Sequence, residues 1–321
     1  MNPKSLKGRS LLTWINFTPE EIRYFLELAK KVKAESLKSA IHRRFRGKSL
    51  ALILEKRFTS ARIAFETAFG EEGGHPVFLS SDDILLEAGE DSRPGTGASI
   101  EDAARVLGRM FDAIAFGGLR QADAETLAKF SGLPVYNGLT DSFNPTQALA
   151  DFFTLEQEFG DLKGRKLAFV GDGRNTIARS LMVICSKMGA DLSIVAPKTL
   201  WPDPELKDIC RTFASESDAS LEITDNKEEG VRGACAIYAD SWFSSCVGAP
   251  NPGYGDLLLP YQVDSRLLAS TGDPRSVFLH GLPAAKGKEV SFELIESPSS
   301  RVFEQAENRK HAIKAILLAT L

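Results

Sequence analysis

Leu167-Ala168-Phe169-Val170-Gly171-Asp172-Gly173-Arg174-Asn175 is the stretch on which the reading of this chain turns. Four apolar residues in a row make a strand buried on both faces, because a sheet covered by helices on each side shows no polar alternation. The glycines and Asp172 then make a turn, and Thr176 opens a helical stretch over 176–188. A buried strand, a glycine-bearing turn and a helix form the repeating unit of a parallel sheet, and ligands bind at the C-terminal edge of such sheets. Taken alone, the turn could pass for a fragment of a dinucleotide fingerprint. That reading is weak, since the third glycine is missing and Thr176-Ile177-Ala178 follows.

The same unit recurs outward in both directions. In the second half, strands are expected at 166–170, 192–195, 221–223, 234–239 and 277–280, interleaved with helices near 176–188, 204–213 and 227–232. In the first half, strands are expected at 49–54, 76–79, 112–116 and 134–136, with helices around 60–69, 100–110 and 122–130. Thr18-Pro19-Glu20-Glu21 is a helix start: a capping hydroxyl, proline in the first turn, then acids facing the positive end of the dipole. The expectation is an α/β protein of two doubly wound domains, each a parallel sheet flanked by helices. The domains are placed at residues 1–145 and 146–300, joined through a helix at 146–159, with a C-terminal helix over 301–321 returning to the first. No internal repeat of identical motifs is evident.

Bulk composition narrows the function classes. The 321 residues exceed one typical domain of roughly 150. A hydrophobic fraction of 43% with 26% charged residues is that of a soluble globular protein. The net charge of −4 leaves no basic excess, which argues against nucleic acid as a partner. No apolar run approaches the ~20 residues of a membrane span. The basic N-terminus lacks the apolar core of a signal peptide. Cys185, Cys210, Cys235 and Cys246 show neither metal nor redox spacing and read as buried free thiols of a reducing cytoplasm. Neither a metal nor a cofactor is expected. His42 and His75 read as surface residues. The stretch 87–99 is rich in Gly, Pro, Ser and charge and reads as a loop.

Six further stretches carry chemistry: 55–62 (EKRFTSAR), Asn144-Pro145-Thr146-Gln147, Gly171–Asn175, Asp240-Ser241-Trp242-Phe243-Ser244, His280-Gly281-Leu282-Pro283 and 306–311 (AENRKH). Together they resemble the ornithine carbamoyltransferase family along nearly the whole chain. The resemblance implies a homotrimer with sites at subunit borders. It also offers the 87–99 loop as a segment reaching a neighbouring subunit, beside the plain reading of a surface connection.

Two ends of a binding cleft follow from the resemblance, in different condition. At the amino-acid end, Asn175 would hold the backbone end of an ornithine-like acceptor, and Asp240 and Ser244 would grip it. Ser245 stands where the family pattern has methionine. At the donor end the family reads Ser-Thr-Arg-Thr-Arg, and the matching residues are Phe58, Thr59, Ser60, Ala61 and Arg62. A strand running into a helix there is also where backbone N–H groups make an anion site. The phosphate-clamping arginine has become Ser60; Arg57 and Lys56 are candidates to compensate. Around the carbamoyl oxygen, donors are needed because negative charge develops there as the amine attacks. The family's arginine, histidine, threonine and cysteine correspond to Gly117, Asn144, Ala61 and Gly281. Gln147 and Leu282 keep their places, and Arg120, three residues after Gly117, is a candidate to swing in. His280 opens its turn and reads more as a structural pin than as a catalyst. Arg309 matches the arginine that returns to the donor site from the C-terminal helix, or else is a solvated helix residue paired with Glu304 or Glu307.

Three functional readings follow. The first is a divergent transferase of this family acting on the side-chain amine of ornithine or a similar amino acid, with a phosphorylated or acyl donor other than carbamoyl phosphate. The second is an active ornithine carbamoyltransferase in which Arg57, Arg120 and Asn144 stand in for the lost groups. The third is an amino-acid-binding pseudoenzyme.

Overall fold

The structure, a computed structural model, describes residues 6–38, 42–55, 59–80, 99–242 and 253–321. They form two compact units: one holds 1–14, 23–146 and 309–321, the other 15–22 and 147–308.

The first unit contains β1 (Ser49–Leu54), α2 (Thr59–Gly70), β2 (His75–Ser80), α3 (Ile100–Met110), β3 (Ala113–Gly117), α4 (Gln121–Ser131) and β4 (Val135–Leu139), with most of α1 (Pro19–Leu37) before them. Its sheet is wholly parallel, in the order β2-β1-β3-β4. Ala51, Ile53, Ile114, Phe116 and Val135 pack with Ala104 and Leu107 of α3 and Ala124 and Leu127 of α4. Fully burying side chains of this size stabilises by roughly 1.5–3 kcal/mol each for the larger ones. Ser99 caps α3, its Oγ accepting from Asp102 N at 3.2 Å, and Glu101 and Asp102 face the helix N-terminus.

The second unit continues through α5 (Pro145–Phe159), β5 (Lys166–Val170), α6 (Thr176–Met188), β6 (Asp191–Val195), α7 (Pro204–Ser217), β7 (Leu221–Thr224), α8 (Lys227–Val231) and β8 (Ala234–Ala239). After it come α9 (Tyr254–Leu258), α10 (Ser265–Ala269), β9 (Val277–Leu279), α11 (Phe292–Ile295) and α12 (Val302–Thr320). Its five strands are parallel, in the order β7-β6-β5-β8-β9. Ala168, Val170, Ile237, Ala239 and Phe278 form a core with Val231, Val263, Leu294 and Val302. In both sheets the strand order reverses beside the first strand of the unit, the topology that leaves a binding edge at the C-terminal ends of the strands. Residues 309–321 of α12 belong to the first unit.

The expected fold class is the observed one. Strand β4 runs to Leu139, beyond the expected 134–136, and β9 ends at Leu279, one residue earlier than expected. Cys185, Cys210 and Cys235 are buried free thiols, and burial pushes the Cys235 thiol up to about 11. Cys246 lies outside the described residues, as does 87–98 of the loop. No helix among the described residues is long and apolar enough to cross a membrane.

Candidate functional site

In the first unit the candidate residues gather at the C-terminal edge of the sheet. Strand β1 ends at Leu54, and Thr59 and Ser60 open α2 with side chains exposed. The first-turn N–H groups of a helix lack intrahelical acceptors, so this end favours an anion. Arg309, only 5% exposed, reaches the same place from α12. Its Nη1 donates to Ser60 Oγ at 3.3 Å, and its Nη2 to Gly138 O at 2.9 Å and Asn144 Oδ1 at 3.5 Å. Thr146 Oγ1 also donates to Asn144 Oδ1, at 3.3 Å, which turns the Asn144 carbonyl toward these donors. Arg309 is therefore a buried residue of this cluster and not a solvated one. Ser60, Asn144 and Arg309 form one cluster.

Arg120, Arg62 and Ala61 of the same unit are engaged elsewhere. Arg120 donates from Nε and Nη2 to the two carboxylate oxygens of Asp123, at 3.0 and 2.6 Å, and this contact holds its pKa above the usual guanidinium value. That corrects the expectation that it swings toward Gly117: a bidentate partner three residues along its own helix captures it. Arg62 pairs with Glu66 at 2.9 Å and lies over the Phe78 ring at 3.8 Å, while Ala61 is packed in the core. Gly117 ends β3, its carbonyl accepting from Glu55 N at 2.9 Å, and Glu55 Oε2 accepts from Leu119 N at 2.6 Å. A Cβ on Gly118 would lie 2.3 Å from Phe116 Cζ and 2.8 Å from Glu55 Cδ, so only glycine fits this turn. Lys56, Arg57 and Phe58 lie outside the described residues.

In the second unit, Asn175 and Asp240 meet at the C-terminal ends of β5 and β8. Asn175 caps α6, its Oδ1 accepting from Ile177 N at 2.7 Å, which points its Nδ2 at Asp240 Oδ2, 3.0 Å away. Burial raises the Asp240 pKa; the nearby His280 and the Asn175 amide work against that rise. A Cβ on Gly281 would lie 3.3 Å from Tyr238 Oη, 3.5 Å from Asp240 Oδ1 and 4.0 Å from Gln147 Cδ. Gly281 thus faces the Asp240 carboxylate through backbone alone.

Two buried networks hold this arrangement. His280 Nδ1 accepts from Leu282 N at 2.9 Å, which leaves its proton on Nε2, 3.4 Å from Oε1 of the buried Glu289. Glu289 Oε1 accepts from Ala285 N at 2.5 Å, so the pair ties together the turn that follows β9. Leu282 has φ 46° within that turn. Behind it, Asp151 Oδ1 accepts from Gln147 Nε2 at 2.7 Å and Gln305 Nε2 at 2.6 Å. Gln305 also donates to Tyr238 Oη at 3.0 Å and accepts from His280 N at 2.9 Å. Gln147, expected among the carbonyl donors, has its amide committed to this network. Asp151, Tyr238, Gln305 and Glu289 were missed from sequence; Asp151 inside Ala148-Leu149-Ala150-Asp151-Phe152-Phe153 was the available signal. Ser244 and Ser245 lie outside the described residues. Among the described residues no group of three or more His, Cys, Asp or Glu is placed to hold a metal ion.

Chemically, the first cluster offers a buried guanidinium, a hydroxyl and a helix N-terminus, a set that suits an anion. The second offers a carboxylate and an amide, a set that suits an amino acid's polar end.

Comparison with known proteins agrees with both halves. Residues 9–157 match the family model of the aspartate/ornithine carbamoyltransferase carbamoyl-P binding domain, and residues 163–320 that of the Asp/Orn binding domain. The chain is 56% identical over 317 residues to an ornithine carbamoyltransferase of Caldanaerobacter subterraneus subsp. tengcongensis, covering 99% of each chain. It is 53% identical to that of Pseudothermotoga lettingae, again over 99% of each. Among solved structures, an ornithine carbamoyltransferase from Pyrococcus furiosus superposes with TM-score 0.92 at 39% identity, covering 98% of this chain and 97% of that one. One from Thermus thermophilus gives TM-score 0.82 at 34% identity, covering 96% and 97%.

Proposed function

We propose that this chain, which belongs to the aspartate/ornithine carbamoyltransferase family, moves the carbamoyl group of carbamoyl phosphate onto the side-chain amine of ornithine, giving citrulline and phosphate. The chain is a transferase of that family, and the reading adds its substrates. The observation that carries it is the end-to-end match at 56% identity to a relative bearing that activity's name. This is the second of the three sequence readings, and the comparisons favour it over an altered donor.

In this reading Arg309, Ser60 and the α2 N-terminus receive the phosphate-bearing donor. Asn144 lies within reach of the same anion cluster and supplies an amide near the carbamoyl group. Asp240 and Asn175 receive the amino-acid end of ornithine. The neutral amine attacks the carbamoyl carbon, the C–N bond forms, the C–O bond to phosphate breaks, and the proton lost by the attacking nitrogen goes to the departing phosphate. The chain's part is placement of both substrates and donors aimed at developing charge, with no covalent intermediate. A homotrimer in the cytoplasm completes the proposal. Exposed Ile63 and Phe78, the latter on edge strand β2, support a subunit contact on the first unit.

The reading with a different donor keeps one observation in its favour: Arg120 is held by Asp123, and Ser60, Gly117 and Gly281 offer no charged group. Calorimetric titration with carbamoyl phosphate and, separately, with L-ornithine discriminates the two. Binding of both supports the proposal; ornithine binding without any for carbamoyl phosphate transfers the argument to the altered donor. Binding of neither refutes both.

A further inference from the structure

The turn that carries Asn175 is fastened by a cluster that the proposed chemistry does not use. Asp172 Oδ1 accepts from Arg174 N at 2.9 Å and Arg174 Nε at 3.0 Å, and its Oδ2 from Arg174 Nη2 at 2.9 Å. Asn175 N donates to Asp172 O at 3.0 Å. The same Asp172 Oδ2 accepts a 2.6 Å hydrogen bond from the hydroxyl of Tyr254, 82 residues further along the chain. Tyr254 is the first residue of α9 and packs against the buried cluster formed by Leu200, Trp242 and Leu258. Trp242 lies two residues after Asp240. One aromatic side chain therefore bonds the turn bearing Asn175 through its hydroxyl and packs against the cluster that includes Trp242 from the turn bearing Asp240.

We propose that Tyr254 is a positioning residue for the amino-acid substrate, fixing the spacing of Asn175 and Asp240 by bonding Asp172. The inference rests on the acceptor assignment above. The physical argument is one of geometry. Asn175 Nδ2 and Asp240 Oδ2 are 3.0 Å apart on two turns that leave different strands. The two strands are paired neighbours up to Val170 and Ala239, so what remains to be held is the turns beyond their ends. Asp172 alone organises its own turn, because its partners Arg174 and Asn175 lie within three residues. Tyr254 supplies the link to the other turn. The cluster is charge-assisted, with a guanidinium and a phenol sharing one carboxylate, so the hydroxyl bond is of the stronger kind. Both Asp172 and Tyr254 are partly buried, and the short contact is shielded from full competition by water.

The test is Tyr254→Phe, which keeps the ring against the cluster of Leu200, Trp242 and Leu258 and removes only the hydroxyl. L-ornithine and carbamoyl phosphate are titrated separately into wild type and variant, the ornithine runs with and without inorganic phosphate, and thermal melting is followed alongside. The expected result is an ornithine Kd raised about tenfold, the scale of one hydrogen bond to a charged group, with the carbamoyl phosphate response unchanged and at most a modest fall in melting temperature from the lost bond. In an Asp172→Asn background the same change should add little, because the bond's acceptor is already weakened. An unaltered ornithine Kd in Tyr254→Phe overturns the inference while leaving the proposed function standing. A loss shared equally by both ligands overturns it as well, since that is what a merely structural residue would do. Wild type that binds no ornithine under either condition overturns the acceptor assignment itself, and this inference with it.

Discussion

Replacing Asp240 with asparagine separates what this carboxylate does for binding from what it does to stability. The substitution is nearly isosteric, and its side-chain carbonyl still accepts the 3.0 Å bond from Asn175 Nδ2. What disappears is the negative charge. If Asp240 receives the α-ammonium of ornithine, the loss is that of a charge-assisted hydrogen bond, about 1.5–3 kcal/mol, or about 10- to 150-fold in Kd. Stability should move the opposite way. Burial raises the Asp240 pKa, so the unfolded chain releases this proton at lower pH than the folded one. As pH rises through the ordinary carboxylate range, the unfolded state gains charge that the folded state resists, and stability falls until the folded pKa is passed. Asp240→Asn removes that penalty. Its melting temperature should exceed wild type near neutral pH and equal it in acid, where both states of the wild type carry the proton. Calorimetric titration with L-ornithine and melting curves across pH measure both effects. Ornithine affinity equal to wild type, or a melting temperature lower at neutral pH than in acid relative to wild type, would refute the reasoning.

Other substitutions probe the remaining supports. Glu289→Leu removes the acceptor of Ala285 N in a buried turn and should destabilise by about 1–3 kcal/mol, read from urea unfolding. Gly118→Ala drives a methyl against Phe116 and Glu55 and should destabilise by roughly 1–3 kcal/mol; a neutral result would mean the turn after β3 yields freely. Arg309→Gln removes the buried guanidinium beside Ser60 and should weaken carbamoyl phosphate binding by about tenfold or more while leaving ornithine affinity unchanged. Equal losses for both ligands would place Arg309 in the fold and not in the donor site.

The parallel sheets were legible because strands buried on both faces, such as Leu167–Val170 or Ala234–Ala239, are continuous apolar runs that no amphipathic helix reproduces. Strand β4 was read short because Asn137 and Gly138 are poor strand formers. The structure shows why Asn137 is tolerated there: its buried Nδ2 lies within bonding distance of Leu12 O, Gln121 Oε1, Thr140 Oγ1 and Phe143 O. The short helices α9, α10 and α11 escaped notice because four or five residues carry too little periodicity to register. Of the candidate site, the identities of Asn175 and Asp240 were readable from local motif. Their meeting across 65 residues was not. The fate of Arg120 was hidden for the opposite reason, since Asp123 sits close by and captures it, yet nothing local says whether an arginine turns inward or along its own helix. The network of Gln147, Asp151, Tyr238 and Gln305 includes a hydrogen bond between residues 154 apart, and only the isolated carboxylate within an apolar helix run hinted at it.

The central claim is carbamoyl transfer from carbamoyl phosphate to ornithine. It is tested most directly by incubating the purified protein with isotopically labelled carbamoyl phosphate and L-ornithine and following labelled citrulline by mass spectrometry. The account predicts labelled citrulline that accumulates in proportion to enzyme and is abolished by Asp240→Asn and Arg309→Gln together. Ornithine that binds while no label ever reaches citrulline would contradict it.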